Sequence, residues 1–185
     1  AVRAAQTGHL VLSTLHTNDS IGAVTRLLEM KIEPYLVSSS LLCSLSQRLA
    51  RRICRHCTQT DDNIPESTRE ELAAVLRISP AEVKASRGVG CVECNHRGHR
   101  GRVAVYEMFL LNEAISDLIQ PGVKTSELRE AARRVGWRSL REMGWLKVQR
   151  GLIPISEQER WTRLIDPLAL TAGPSIGASQ QTNKR

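Results

Sequence analysis

The 185-residue chain carries 26 Lys plus Arg against 19 Asp plus Glu, a formal charge of +7, with five cysteines and only 3% aromatic residues. That length suits one domain or two small ones, and an aliphatic core with so few aromatics fits helices and a parallel sheet better than a β-sandwich. No apolar run reaches the ~18–20 residues of a membrane-spanning helix, and Ala1 to Gln6 does not open a signal peptide, which disfavours a spanning protein and a secreted one still carrying its leader.

Residues 1–47 read as α/β. His9-Leu10-Val11-Leu12-Ser13-Thr14-Leu15 has the length and apolarity of a buried parallel strand. Thr17, Asn18 and Asp19 then offer caps for a helix over Ser20 to Met30, with Ile21, Val24, Leu27 and Leu28 on one face. Pro34 suits the first turn of a second helix, which carries Leu36, Val37, Leu41, Leu42 and Leu45 toward an arginine cluster. Cys43, inside that apolar run, is expected to be a buried small hydrophobe.

Residues 48–103 change character, with four cysteines and many charges. Asp61 to Pro65 is a loop by composition. Ser67 to Arg77 has Leu72, Val75 and Leu76 at helical spacing, and Ser79-Pro80-Ala81-Glu82 opens a second short helix. Arg102 to Leu110 returns to strand chemistry through Val103, Val105 and Phe109. Beyond it, Thr125-Ser126-Glu127 caps a helix that Gly136 ends, Ser139 to Arg150 forms another that Gly151 stops, and Ser156 with Glu159 suggests a capping box for a last helix through Ile165. The Gly/Ser/Gln/Thr-rich stretch from Leu168 to Arg185 is expected to be disordered.

Cys54-x-x-Cys57 and Cys91-x-x-Cys94 are two C-x-x-C pairs. Tetrahedral zinc takes four thiolates, two from each tight turn, and such a closed set supports a fold and leaves no coordination position open for catalysis. Disulfides are disfavoured without a secretory signal. A thioredoxin-type dithiol needs one pair in a βαβ setting, not two flanked by Arg and Gly.

Thr7-Gly8-His9-Leu10-Val11-Leu12-Ser13-Thr14-Leu15-His16-Thr17-Asn18-Asp19 sets two histidines at the two ends of one apolar strand, with Thr14, Thr17, Asn18 and Asp19 at its C-terminal end, where open α/β sheets bind ligands. This run resembles the histidine box of the type II secretion and type IV pilus ATPases. Gln47-Arg48-Leu49-Ala50-Arg51-Arg52-Ile53-Cys54-Arg55-His56-Cys57 is similar to that family's first cysteine segment. Gly90-Cys91-Val92-Glu93-Cys94 with Gly98-His99-Arg100-Gly101-Arg102-Val103-Ala104-Val105-Tyr106-Glu107 is similar to its second knuckle and following strand. The order and spacing agree over about residues 1–151. No G-x-x-x-x-G-K-[ST] occurs and only six residues precede Thr7, so the resemblance is to the C-terminal portion of such an ATPase. His99 stands where the family usually has an aromatic residue, and residues from Leu152 onward depart from its pattern.

The resemblance implies the C-terminal part of a RecA-like parallel-sheet ATPase core over 1–53, a zinc-binding four-Cys lobe over 54–101, a strand plus helical subdomain over 102–165 and a tail over 166–185. It implies a homo-hexameric motor, cytoplasmic and peripheral to the bacterial inner membrane, whose ATP hydrolysis with Mg²⁺ drives pseudopilus or pilus assembly against inner-membrane platform proteins. Within that frame His9 and His16 sense or position the γ-phosphate, Arg48, Arg51 and Arg52 lie near the nucleotide or a subunit interface, and Cys54, Cys57, Cys91 and Cys94 hold structural zinc. This portion alone is expected to be inactive.

A zinc-dependent nucleic-acid-binding module is the alternative, prompted by Arg48, Arg51, Arg52 and Arg55 and by Arg97, Arg100 and Arg102. Stacking aromatics are nearly absent near the knuckles, and Asp61, Asp62, Glu66, Glu70 and Glu71 would repel phosphates, so no specific nucleic-acid partner is expected.

Overall fold

The computed structural model describes residues 1–162; the tail expected over 166–185 and the Ile165 end of the last helix lie outside them. Three helices, α1 (Val2–Gln6), α2 (Gly22–Glu29) and α3 (Pro34–Ser40), lead into a long strand β1 (Cys43–Ile53). The short strand β2 (Thr58–Thr60), helix α4 (Glu66–Leu76) and strand β3 (Ser86–Gly88) follow, and then the second long strand β4 (His99–Leu110). Helices α5 (Glu113–Ser116), α6 (Thr125–Arg134), α7 (Leu140–Gln149) and α8 (Ile155–Thr162) complete the order, and 3-10 turns at Pro80–Glu82 and Val92–Cys94 flank β3.

β1 and β4 pair antiparallel from Cys43 opposite Leu110 to Ile53 opposite His99, with a bulge between Arg51 and Ile53. β2 and β3 form a second, short antiparallel pair. The period of two gives the long ribbon an inner and an outer face. Ala50, Val105 and Phe109 turn inward and are buried, whereas Leu45, Leu49, Met108 and Leu110 stay exposed on the outer side.

Helix α3 begins on Pro34 as its sequence signal requires, but it stops at Ser40. Leu41, Leu45 and Leu49, four apart, fit one stripe of a helix, yet Leu45 and Leu49 share a strand face equally well; pairing with β4 decides for the strand. Cys43 consequently sits exposed on the outer side rather than buried. The run His9 to Leu15 forms no ladder, and Leu10 and Leu12 are 80% and 89% exposed. An apolar run becomes a strand only where a neighbour takes its N–H and C=O groups, and no strand flanks it among the described residues. Ser139 caps α7 in a capping box with Glu142, at the start that the sequence places there. The last helix starts one residue before Ser156, directly after Pro154, so Ser156 lies inside the helix instead of capping it.

Two apolar cores line the inner side. One gathers Ala50, Val105, Leu72, Val83, Leu140, Trp145, Val148, Ile153 and Trp161, which packs α4 against α7 and α8. Glu71 fastens this joint, accepting from Arg141 Nη2 at 2.6 Å and from Trp145 Nε1 at 2.8 Å. The other gathers Ile21, Val24, Val37, Phe109, Ile115, Leu128 and Trp137 from α2, α3, the end of β4, α5 and α6.

Glu107 lies on β4 between Val105 of one core and Phe109 of the other, and is 2% exposed. One carboxylate oxygen accepts the backbone N–H of Ser20, ahead of α2, and the other accepts the N–H of Leu140, at the start of α7 (2.6 Å). The Leu140 N–H opens α7 and has no partner within it, while Ser20 lies two residues ahead of α2, so a single carboxylate ties the approaches to two helices to the central strand. Burial raises the pKa of Glu107, and the Ser20 and Leu140 donors oppose that rise. Glu107→Gln turns an NH₂ donor toward one of two backbone donors, and is expected to lower unfolding stability by about 1–3 kcal/mol, read from urea denaturation. A loss below about 0.5 kcal/mol, the scatter of ordinary surface substitutions, would show that the two helix starts do not depend on this carboxylate.

Candidate metal centre

The four cysteines reach one point because the two long strands end there. Cys54 follows β1 directly, and its N–H donates to the carbonyl of Gly98, the residue before β4, at 2.9 Å. Each C-x-x-C segment is a tight turn, closed by Cys57 N–H to Cys54 O (3.3 Å) and by Cys94 N–H to Cys91 O (3.1 Å). Asn95 and His96 extend the second turn in the left-handed region, with φ of 50° and 58°. The two flanks of the second segment close on each other through glycine: a Cβ on Gly88 would stand 2.0 Å from the Gly98 carbonyl oxygen, and Gly98 itself has φ of +72°. No other residue permits that approach.

The Sγ atoms of Cys54, Cys57, Cys91 and Cys94 all lie within 4.8 Å of one another. Cys54 and Cys91 are 3.9 Å apart, Cys57 and Cys94 3.8 Å, and Cys91 and Cys94 3.8 Å. These separations are far longer than the ~2.05 Å of a disulfide. They match the edge of roughly 3.8 Å that a tetrahedron of sulfurs about 2.3 Å from a zinc-sized ion would have. Cys54, Cys57 and Cys94 are buried and Cys91 is half-buried. Burial pushes Cys57 up to about 12. Burial acts the same way on Cys94, but N–H groups of Cys91 (3.3 Å) and Gly98 (3.2 Å) point at its sulfur and hold it at about 6. Four such thiols can hold a metal ion, and the set is closed.

The other residues singled out by sequence are dispersed. His9 and His16 are exposed on the segment that forms no ladder, and His9 Nδ1 lies 3.1 Å from Thr7 Oγ1. Beyond them Asp19 anchors the segment, with Oδ1 accepting from Gly22 N–H and Oδ2 from Arg129. Arg48, Arg51 and Arg52 all belong to β1, where Arg51 faces the opposite side from the other two. Arg51 is engaged by Glu157, which accepts its backbone N–H at 2.9 Å and its Nε at 2.8 Å and also accepts from Arg160 at 3.0 Å. Although burial acts to raise its pKa, Glu157 is held below the usual carboxylate range by Arg51 and Arg160. Glu107 and Glu157 escape a sequence reading because a lone acid in an apolar strand or helix looks like a solvent-facing residue. The only available signal is that Glu107 falls on the same strand face as Val105 and Phe109.

Comparison with known proteins bears on these features together. Residues 1–160 match the family model described as Type II/IV secretion system protein. Over 160 residues the chain is 42% identical to the type IV pilus assembly ATPase PilB of Thermus thermophilus, covering 85% of this chain and 17% of that protein. It is 42% identical over 163 residues to the type II secretion system protein HxcR of Pseudomonas aeruginosa, covering 88% and 30%. It is 43% identical over 164 residues to the type II secretion system protein E of Aeromonas hydrophila, covering 88% and 32%. The chain thus spans less than a third of the length of each of these relatives. The crystal structure of the pilus retraction motor PilT with bound ADP shares its α/β fold, with a TM-score of 0.53 at 22% identity, covering 86% of this chain and 34% of that one. These matches favour the motor-type resemblance over a nucleic-acid module, and with a family model spanning nearly all the described residues they settle the kinship: the chain belongs to the Type II/IV secretion system protein family.

Proposed function

We propose that this chain is part of a motor ATPase that powers type II secretion or type IV pilus assembly, and that it supplies the motor's histidine segment, its zinc lobe and its helical subdomain. The convergence of four sulfurs within 4.8 Å, in a chain whose residues 1–160 match the family, is the observation that carries this reading. The whole protein works as a homo-hexamer on inner-membrane platform proteins, cytoplasmic and peripheral to that membrane. No helix of the described residues is long and apolar enough to cross it. The parts follow the sequence divisions 1–53, 54–101, 102–165 and 166–185.

Cys54, Cys57, Cys91 and Cys94 would hold Zn²⁺, which supplies a cross-link between the ends of β1 and β4 and performs no chemistry. Folding of the lobe and metal binding are then one event. Freshly reduced protein is expected to contain close to one zinc per chain, and chelation to unfold the lobe. Metal analysis below about half an equivalent would count against a resident zinc.

His9 and His16 serve the γ-phosphate, and Arg48, Arg51 and Arg52 stand near the nucleotide or a subunit interface. ATP and Mg²⁺ are held by a phosphate-binding loop that this chain does not contain, so the isolated chain is expected to show no Mg²⁺-dependent ATP turnover above blank. In a protein that carries that loop ahead of residue 1, His16 donates one hydrogen bond that strengthens in the transition state. His16→Ala should cost roughly 10²–10³ in turnover, or about 2–4 kcal/mol, with a far smaller change in ATP affinity. Turnover, nucleotide affinity and thermal stability measured on one preparation decide it. Unchanged turnover, or a loss that tracks instability, would remove His16 from the mechanism.

A further inference from the structure

We propose that the cleft where the β1–β4 ladder meets the second cysteine turn is a binding site for a phosphate group, free or borne by a lipid headgroup. The cleft has a volume of 470 Å³ and is lined by Arg51, Arg97, His99, Gly101 and Arg102. Arg51 and Arg102 are direct partners across the antiparallel ladder, so two guanidiniums stand side by side on one face, an arrangement that costs stability in a bare sheet. Arg97 arrives from the other wall, on the turn that Cys94 O closes by accepting its N–H at 3.1 Å.

The local carboxylates neutralise this group only in part. Glu157 serves Arg51 and Arg160 together, and Glu93 is spent on Arg100 at 2.7 Å. Arg97 and Arg102 form no ion pair among the described residues. The remaining polar group completes the case. His99 also lines the cleft, and its Nδ1 is buried without a hydrogen-bond partner among the described residues. Burial, and secondarily the charge of Arg51, lowers the pKa of His99 against the opposing pull of Glu157.

Three guanidinium forks and an imidazole offer more donors than a carboxylate can accept, and match the several terminal oxygens of a phosphate. The open shape of the cleft admits such a group at the tip of a larger molecule. Of the residues assigned above to the nucleotide or a subunit interface only Arg51 lines this cleft, and the variant tested below leaves Arg51 in place; His9, His16, Arg48 and Arg52 do not line it.

The test uses the reduced, metal-loaded chain at fixed ionic strength, the double variant Arg97→Gln/Arg102→Gln, and a charge-matched control, Arg134→Gln/Arg138→Gln. Inorganic pyrophosphate is titrated by calorimetry, and phosphatidylglycerol vesicles are compared with phosphatidylcholine vesicles by co-sedimentation. Circular dichroism verifies that all three proteins share one fold. The wild type is expected to bind one pyrophosphate per chain, the Arg97/Arg102 variant to bind it roughly tenfold more weakly or worse, and the control to match the wild type. Retention on phosphatidylglycerol vesicles that is lost only in the Arg97/Arg102 variant, with weak binding of pyrophosphate, supports the same site with a lipid headgroup as its source. Equal losses in both double variants would overturn the proposal as mere net charge, and so would the absence of binding to either probe.

Discussion

The antiparallel pairing of β1 with β4 is the constraint on which the rest of the structure depends. From Cys43 opposite Leu110 to Ile53 opposite His99 it holds together two segments separated by the whole cysteine-bearing stretch. One end of the ladder closes that stretch into a loop and delivers Cys54 and Gly98 to within a hydrogen bond of each other. The inner face supplies Ala50 and Val105 to one core and Phe109 to the other. The loop between the strands therefore pays its closure entropy against a ladder and a core that already exist, and the four sulfurs meet at its neck.

Glu107 shows how the same strand couples the two cores. A buried carboxylate is expensive unless its oxygens are satisfied, and here each oxygen receives a backbone N–H from a different helix start. Trp137 Nε1 donates to Ser20 Oγ at 3.3 Å, so the same corner gathers residues before α2, on β4 and before α7. Glu157 plays a comparable part at the other end of the molecule, joining α8 to the edge of β1 through Arg51. Acids buried in this way specify which helix start meets which strand position, a task that aliphatic packing alone does not perform.

Several helix starts are legible in the sequence: Pro34, Ser79 with Glu82, and Ser139 all mark starts that the structure contains. The convergence of the four cysteines is legible as well, because a C-x-x-C turn closes locally and each turn presents two sulfurs. β1 is not legible, since leucines spaced by four satisfy both a helix and a strand and only the remote partner β4 breaks the tie. The run His9 to Leu15 errs in the opposite direction: its composition fits a strand, but a strand is a property of two segments and not of one. The buried acids and the Arg51–Arg102 juxtaposition depend on register and bulge position, which local pattern does not encode.

At the neck of the loop between β1 and β4 four sulfurs lie within 4.8 Å of one another, the arrangement of a closed four-thiolate metal site. X-ray absorption at the zinc edge of freshly purified, reduced protein addresses it directly. The expected spectrum shows a single shell of four sulfur neighbours at about 2.3 Å with no nitrogen or oxygen in it. A shell containing nitrogen or oxygen, or fewer than four sulfurs, would contradict it.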